Sequence, residues 1–158
     1  MSEKALADHA RSALRSGIEA AVTDPLTGLH NRRYALPHLA AMSERARQTD
    51  RRVAVMMLDI DHFKAINDRF GHGGGDRVLV EVARRLRAQL REGDLVARVG
   101  GEEFLVALPD ATREEAEIAA ERLRSCVEDR PFAPGVEGDG APACGATLKV
   151  TLSIGVAV

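Results

Sequence analysis

Two short acidic runs, Asp59-Ile60-Asp61 and Glu102-Glu103, hold the residues best suited to bind a hard cation. Asp59 closes the apolar run Val53 to Leu58, and open sheets tend to present ligand groups where their strands end. A carboxylate there binds such a cation through oxygen; the local alternative is a strand-terminal Asp followed by Asp61 as a helix N-cap. Glu102 and Glu103 are neighbouring acids on a tight turn, where like charges repel. A metal ion or a bound proton relieves that repulsion, and so, more simply, does solvation of the turn. Gly100 and Gly101 remove side chains beside these carboxylates, which lets a phosphate group approach the backbone. Asp59, Glu102 and the Ile60 carbonyl together form an all-oxygen set of the kind Mg²⁺ uses alongside substrate phosphates.

Other candidates surround this set. Lys64 lies one helical turn after Ile60 and is either a phosphate contact or a surface lysine. Asn67, His72 and Asp76 flank Gly71-His72-Gly73-Gly74-Gly75, a stretch whose four glycines predict a loop open to close backbone approach. Asn and Asp can hydrogen-bond a guanine edge; the local alternatives are a helix C-cap, a loop histidine and an N-cap. Arg91 and Asp94 precede the glycine pair, and an Arg there grips phosphate or guanine bidentately or forms a surface ion pair of small energetic weight. The glycine stretch matches neither a P-loop nor a dinucleotide-binding fingerprint.

The elements that must position these residues follow from periodicity. Apolar residues at three- and four-residue spacing predict helices over Ser2 to Thr23, Arg32 to Arg47 and, through Leu79, Val82, Ala83, Leu86 and Leu90, after the glycine stretch. A short polar helix is expected from His62 to Asp68. Val53 to Ile60 lacks alternation and predicts a strand covered on both faces. Asp94 to Val99 and Phe104 to Leu108 predict a hairpin around Gly100 to Glu103. Thr112 and Glu115 predict a capping box for a helix to Glu128. Pro131 to Gly145 reads as loop, and Leu148 to Val158 alternates as a half-buried strand. Helices and strands alternate around one hairpin, which predicts an α+β fold, a sheet with helices packed on it.

The 158 residues suit one domain, and a net charge of −2 does not favour non-specific nucleic-acid binding. The two cysteines, Cys126 and Cys144, form no CxxC pair, which argues against a zinc site or a disulfide framework and fits a reducing compartment. Cys126 shares a helix face with Leu123 and Val127 and is expected to pack in the core. No apolar run is long enough to span a bilayer and the first residues read as a charged helix, so a cytoplasmic location without a membrane segment is expected.

The chain resembles the GGDEF family of diguanylate cyclases from about Asp24 to Val158. The resemblance rests on Asp24-Pro25-Leu26-Thr27-Gly28-Leu29-His30-Asn31-Arg32-Arg33, on the run from Leu58 to Asp76, on Gly100-Gly101-Glu102-Glu103-Phe104 as a GGEEF form of the signature, and on later landmarks at Leu108-Pro109, Ala116, Ala120 to Leu123 and Ser153 to Ala157. It implies a mainly antiparallel sheet with a ferredoxin-like βααββαβ core. It further implies condensation of two GTP into cyclic di-GMP and pyrophosphate. Asp59, the Ile60 carbonyl and Glu102 would hold Mg²⁺ or Mn²⁺, and Glu103 would assist deprotonation of the attacking hydroxyl or share the metal. Lys64 and backbone amides near His62 and Phe63 would bind phosphates, beside Gly100 and Gly101. Asn67 and Asp76 would select guanine, with His72 lining the pocket. Arg91 and Asp94 match an RxxD inhibitory site for cyclic di-GMP. Catalysis would need a homodimer, residues 1–23 would be a signalling stalk leading from an upstream sensor, and residues 24–158 the catalytic domain. The family usually continues into a helix and strand bearing a Lys and an Arg for the GTP phosphates, which are not among these residues. The alternative function is a weakly active or inactive module that binds cyclic di-GMP or GTP.

Overall fold

The structure, a computed structural model, describes residues 3–133 and 147–158. Helix α1 covers Glu3–Val22 and buries none of its residues; Leu6, Leu14 and Ile18 stay exposed along it. A two-residue strand β1, His30–Asn31, leads directly into α2, Arg32–Gln48. Asn31 starts that helix by accepting the Tyr34 amide on its side chain at 3.1 Å. Then come β2 (Val53–Ile60), α3 (Phe63–Ala88), β3 (Leu95–Arg98), β4 (Glu103–Pro109), α4 (Arg113–Glu128) and β5 (Leu152–Ala157).

The strands form one sheet in the order β1-β3-β4-β2-β5, antiparallel throughout except for the β1–β3 pair. The last four strands of that order have the ferredoxin-like arrangement, in which α3 and α4 each connect strands that are not hairpin neighbours. Both helices lie on one face, where Met56, Leu58, Ile60, Phe104 and Val106 meet Leu79, Val82, Leu86 and Leu123. α2 covers the other face, over Leu95, Ala97, Leu105 and Ala107. β4 is therefore covered on both sides. β2 is not, contrary to the reading of its unbroken apolar run: burial alternates along it, and Met57 on its second face is 43% exposed. The apolar run over-reads coverage because α2 reaches only one end of that face.

The glycine stretch needs a larger correction. It is not a loop. α3 runs through it with a break at a single residue, Gly71, whose φ of 71° and ψ of 174° only glycine adopts readily. Gly74 and Gly75 are buried and helical. A methyl on Gly74 would overlap Phe70 and one on Gly75 would overlap Asn67 Oδ1. These glycines let the two halves of the bent helix pack against each other.

Other expectations hold locally. Thr112 and Glu115 form the reciprocal capping box, with bonds of 2.8 and 3.2 Å, an arrangement that contributes about 1 kcal/mol. β5 begins at Leu152, so only the second half of the alternating tail is strand; Leu148 makes an isolated bridge to Phe132. The buried Arg85 joins α3 to the end of α4. It donates to the carbonyls of Val127 and Arg130 at 2.9 and 2.8 Å and stacks on Phe132. Cys126 packs against the core, and burial pushes its thiol above the ordinary range; Cys144 lies outside the described residues.

Candidate functional site

The antiparallel register of β2 and β4 makes Asp59 and Glu103 direct cross-strand partners. The Ile60 amide donates to the Glu102 carbonyl at 3.2 Å. Both acidic runs thus meet at one end of the sheet, where Asp59 and Glu103 share the α2 face beyond the part that α2 covers. The turn between β3 and β4 closes by bonds from the Val99 and Gly100 amides to the Glu103 carbonyl, at 3.0 and 3.4 Å. Gly100 has a local reason: a Cβ there would stand 2.8 Å from Glu103 Oε2. Gly101 has none, since a Cβ there would project into open space.

Like charges directly opposite on an antiparallel pair destabilise it, and Asp59 faces Glu103 with Glu102 adjacent. A divalent cation offsets that repulsion. The available donors are all oxygens, Asp59 and Glu102 carboxylates with the Ile60 carbonyl, which fits Mg²⁺ or Mn²⁺ better than a softer metal. Among the described residues, no group of three or more His, Cys, Asp or Glu side chains has metal-binding geometry, so such an ion would depend on backbone and substrate oxygens for the rest of its shell.

The start of α3 lies directly after β2. His62 is its N-cap, in a left-handed conformation with φ 56°, and its side chain makes no capping bond. The first-turn amides are left to other acceptors, and a helix N-terminus favours phosphate oxygens. Phe63 is buried, so only its backbone can serve a ligand, while Lys64 is exposed on the same turn. Asp61 is not the N-cap. Its carboxylate accepts from Thr151 and Ser153 hydroxyls at 2.7 and 2.5 Å and so ties β5 to the end of β2.

The bend at Gly71 folds α3 back so that Asn67 lies against Gly75, the residue before Asp76. Asn67 and Asp76 are neither a C-cap nor an N-cap; both are inside the helix, and the bend brings their positions together. His72 is exposed just beyond the bend.

Arg91 and Asp94 are elsewhere. They precede β3, whereas Gly100 and Gly101 follow it, so the strand's length separates them from the acidic cluster. Asp94 Oδ2 accepts the Arg91 amide at 2.8 Å, and the Asp94 amide donates back to the Arg91 carbonyl at 3.1 Å. The carboxylate shapes this turn through the Arg91 backbone amide.

One set of contacts at the acidic turn has no signature in the sequence. Arg98, at the end of β3, donates Nε and Nη2 to the Gly101 carbonyl at 3.2 and 2.8 Å. Its Nη1 meets both carboxylate oxygens of Asp24, at 3.2 and 3.3 Å. Burial opposes ionisation of Asp24, yet bonds from Thr27 and the charge of Arg98 hold its carboxyl below the ordinary value. The two partners are 74 residues apart, and no local pattern pairs them.

Comparison with known proteins adds a lineage to this geometry. The profile described as diguanylate cyclase, GGDEF domain, matches residues 21–158. The response regulator PleD of Caulobacter vibrioides is 46% identical over 155 residues, which are 97% of this chain but 32% of PleD. The chain thus spans about a third of the length of that curated relative. Among solved structures, the diguanylate cyclase SiaD of Pseudomonas aeruginosa, in complex with its activator SiaC, is 39% identical with a TM-score of 0.75, over 97% of this chain and 57% of that one. The coiled coil and GGDEF domain of DgcB from Caulobacter crescentus, in complex with c-di-GMP, superposes with a TM-score of 0.85 at 28% identity, over 97% of this chain and 77% of that one.

Proposed function

This chain belongs to the GGDEF family of diguanylate cyclases, and from that premise we propose that it condenses two GTP molecules into cyclic di-GMP with release of pyrophosphate. The observation that carries the reading is the cross-strand meeting of Asp59 with Glu103 beside Glu102, next to the open first turn of α3. Carboxylates and helix amides at one sheet end are what a nucleoside triphosphate with its divalent cation requires.

In each of two rounds the 3′-oxygen of one GTP forms a bond to the α-phosphorus of the other. The bond from that phosphorus to the bridging oxygen breaks, and pyrophosphate leaves. Asp59, Glu102 and the Ile60 carbonyl would hold the Mg²⁺ or Mn²⁺, which would lower the pKa of the attacking hydroxyl and neutralise phosphoryl charge. Glu103 accepts the hydroxyl proton. Lys64 and the amides after His62 bind the phosphates; Asn67 and Asp76, brought together by the bend, hydrogen-bond guanine beside His72. One domain presents one such set, so two copies meet face to face, with residues 1–23 as the stalk that joins them to a sensor. Arg91 and Asp94, at the other end of β3, bind the product and lower activity.

Purified chain incubated with GTP and Mg²⁺, followed by chromatography for cyclic di-GMP, tests this. Glu103→Gln is expected to lower turnover at least about 100-fold while keeping the melting temperature; undiminished turnover would refute the role of Glu103. Arg91→Ala in the same assay is expected to relieve inhibition by added product, and unchanged inhibition would remove the RxxD assignment. If the chain binds cyclic di-GMP but forms none, the binding-module alternative takes the place of the cyclase.

A further inference from the structure

The contacts of Arg98 reach from the end of α1 to the acidic turn. Its guanidinium is three-quarters or more shielded from solvent, as is the Asp24 carboxylate it meets, with 18% and 15% of the side chains exposed. On the far side it grips the Gly101 carbonyl with two nitrogens. Gly101 directly precedes Glu102. Asp24 in turn belongs to the junction that follows α1: its amide donates to the Leu29 carbonyl at 2.8 Å, and its carboxylate accepts the Thr27 amide and hydroxyl at 2.9 and 2.6 Å. A second strap ties the same junction down, since Asn31 Nδ2 donates to the Ala21 carbonyl in the last turn of α1 at 2.9 Å, and Asn31 is the register partner of Arg98.

We propose that Arg98 is a positioning residue: it fixes the Gly101 carbonyl, and through it the Glu102-Glu103 turn, relative to the Asp24 junction, so that the position of α1 bears on the geometry of the acidic site. This rests on the cyclase reading for its effect on rate, though not for the coupling itself. The physical grounds are geometric. Two glycines leave the turn with little intrinsic stiffness, and among the described residues the Glu103 carbonyl closes it from within by accepting the Val99 and Gly100 amides. A planar guanidinium holding one carbonyl through two donors and one carboxylate through a third defines an orientation that an ammonium cannot. Asp24 is the anchor, because the Thr27 amide and hydroxyl hold its carboxylate independently of Arg98.

The test uses the whole chain. Amide hydrogen exchange is compared in the wild type, Asp24→Asn, Arg98→Lys and Arg98→Ala, alongside steady-state cyclic di-GMP formation. Exchange at Val99, Gly100 and Ile60, whose amides donate to the carbonyls of the turn, is expected to rise at least about fivefold in Asp24→Asn and further in Arg98→Ala, with the rest of β2 and β4 still protected. kcat is expected to fall about 30-fold in Arg98→Ala with KM for GTP changed less than about threefold, and Arg98→Lys to recover only part of it. Unchanged exchange at the turn in Asp24→Asn and Arg98→Lys overturns the proposal, whatever the activity. A wild type that forms no product overturns the cyclase reading instead, and the exchange comparison still decides the coupling. If Arg98→Ala does not fold, Asp24→Asn and Arg98→Lys carry both measurements.

Discussion

Gly100 and Gly101 are adjacent and chemically identical, yet the structure gives them different tasks, and alanine substitution separates the two. An ideal Cβ on Gly100 stands 2.8 Å from Glu103 Oε2 and 3.2 Å from its Cβ, against a comfortable separation of about 3.5 Å. The carboxylate must therefore retreat by about 0.7 Å or change rotamer, since the Cβ is fixed to the turn. A displacement of about 1 Å in a catalytic group costs on the order of 100-fold in rate. Gly100→Ala is expected to lower kcat about 30- to 100-fold, with KM for GTP nearly constant. Gly100 is not among the glycines with positive φ, so its stability cost should stay below about 1 kcal/mol. An added Cβ on Gly101 meets nothing within 4 Å. Gly101→Ala should leave the fold and kcat intact and raise KM about tenfold if substrate phosphates approach the turn there. The assay is steady-state cyclic di-GMP formation over a range of GTP concentrations, with thermal melts of each variant. A Gly100→Ala enzyme with more than about half the wild-type kcat would refute the claim that this glycine makes room for Glu103.

Three further outcomes follow from the packing. Gly71→Ala forces alanine into a conformation that costs about 1–3 kcal/mol, which urea unfolding should show as a lower midpoint at constant slope. Arg85→Met strands the carbonyls of Val127 and Arg130 that the guanidinium now satisfies; a loss of about 3 kcal/mol is expected, and less than about 1 would show that these carbonyls find other partners. Glu81 is held at about 2, below its ordinary 4.5, chiefly by the Arg84 hydrogen bond and then by Arg85. A depressed carboxylate stabilises above its unfolded pKa and loses that contribution as pH falls from 4.5 towards 2. After allowance for its partial exposure the contribution is about 1 kcal/mol, so the wild type and Glu81→Gln should differ at pH 6 and converge near pH 2 in parallel denaturant titrations.

The parts of this fold that were legible in sequence are those decided by neighbours a few residues away. The capping box at Thr112 and Glu115 depends on three-residue spacing, and the hairpin around Gly100 to Glu103 on two apolar runs flanking a tight turn. The acidic cluster was legible too, because Asp59 ends one strand and Glu102-Glu103 begin another, and an antiparallel pair of similar length brings those ends together. Arg91 and Asp94 were legible as a pair, while their turn, held by a carboxylate-to-amide bond, was not.

What stayed hidden depends on where the chain returns to itself. Four glycines in five residues read as a loop because glycine is usually a device for backbone freedom. Here only Gly71 uses that freedom, and Gly74 and Gly75 are small because Phe70 and Asn67 fold back onto them. Composition does not distinguish a glycine selected for φ from one selected for the absence of a side chain; only the identity of the opposing atom does. The same limit applies to Arg98. A single arginine at a strand end has no periodicity, and its two partners lie on different elements, one 74 residues away and one three residues ahead. The residues that carry charge to a ligand can be found by type and spacing, whereas the residues that hold those charges in place are selected for long-range geometry, and so the support of this site became visible only once the sheet was assembled.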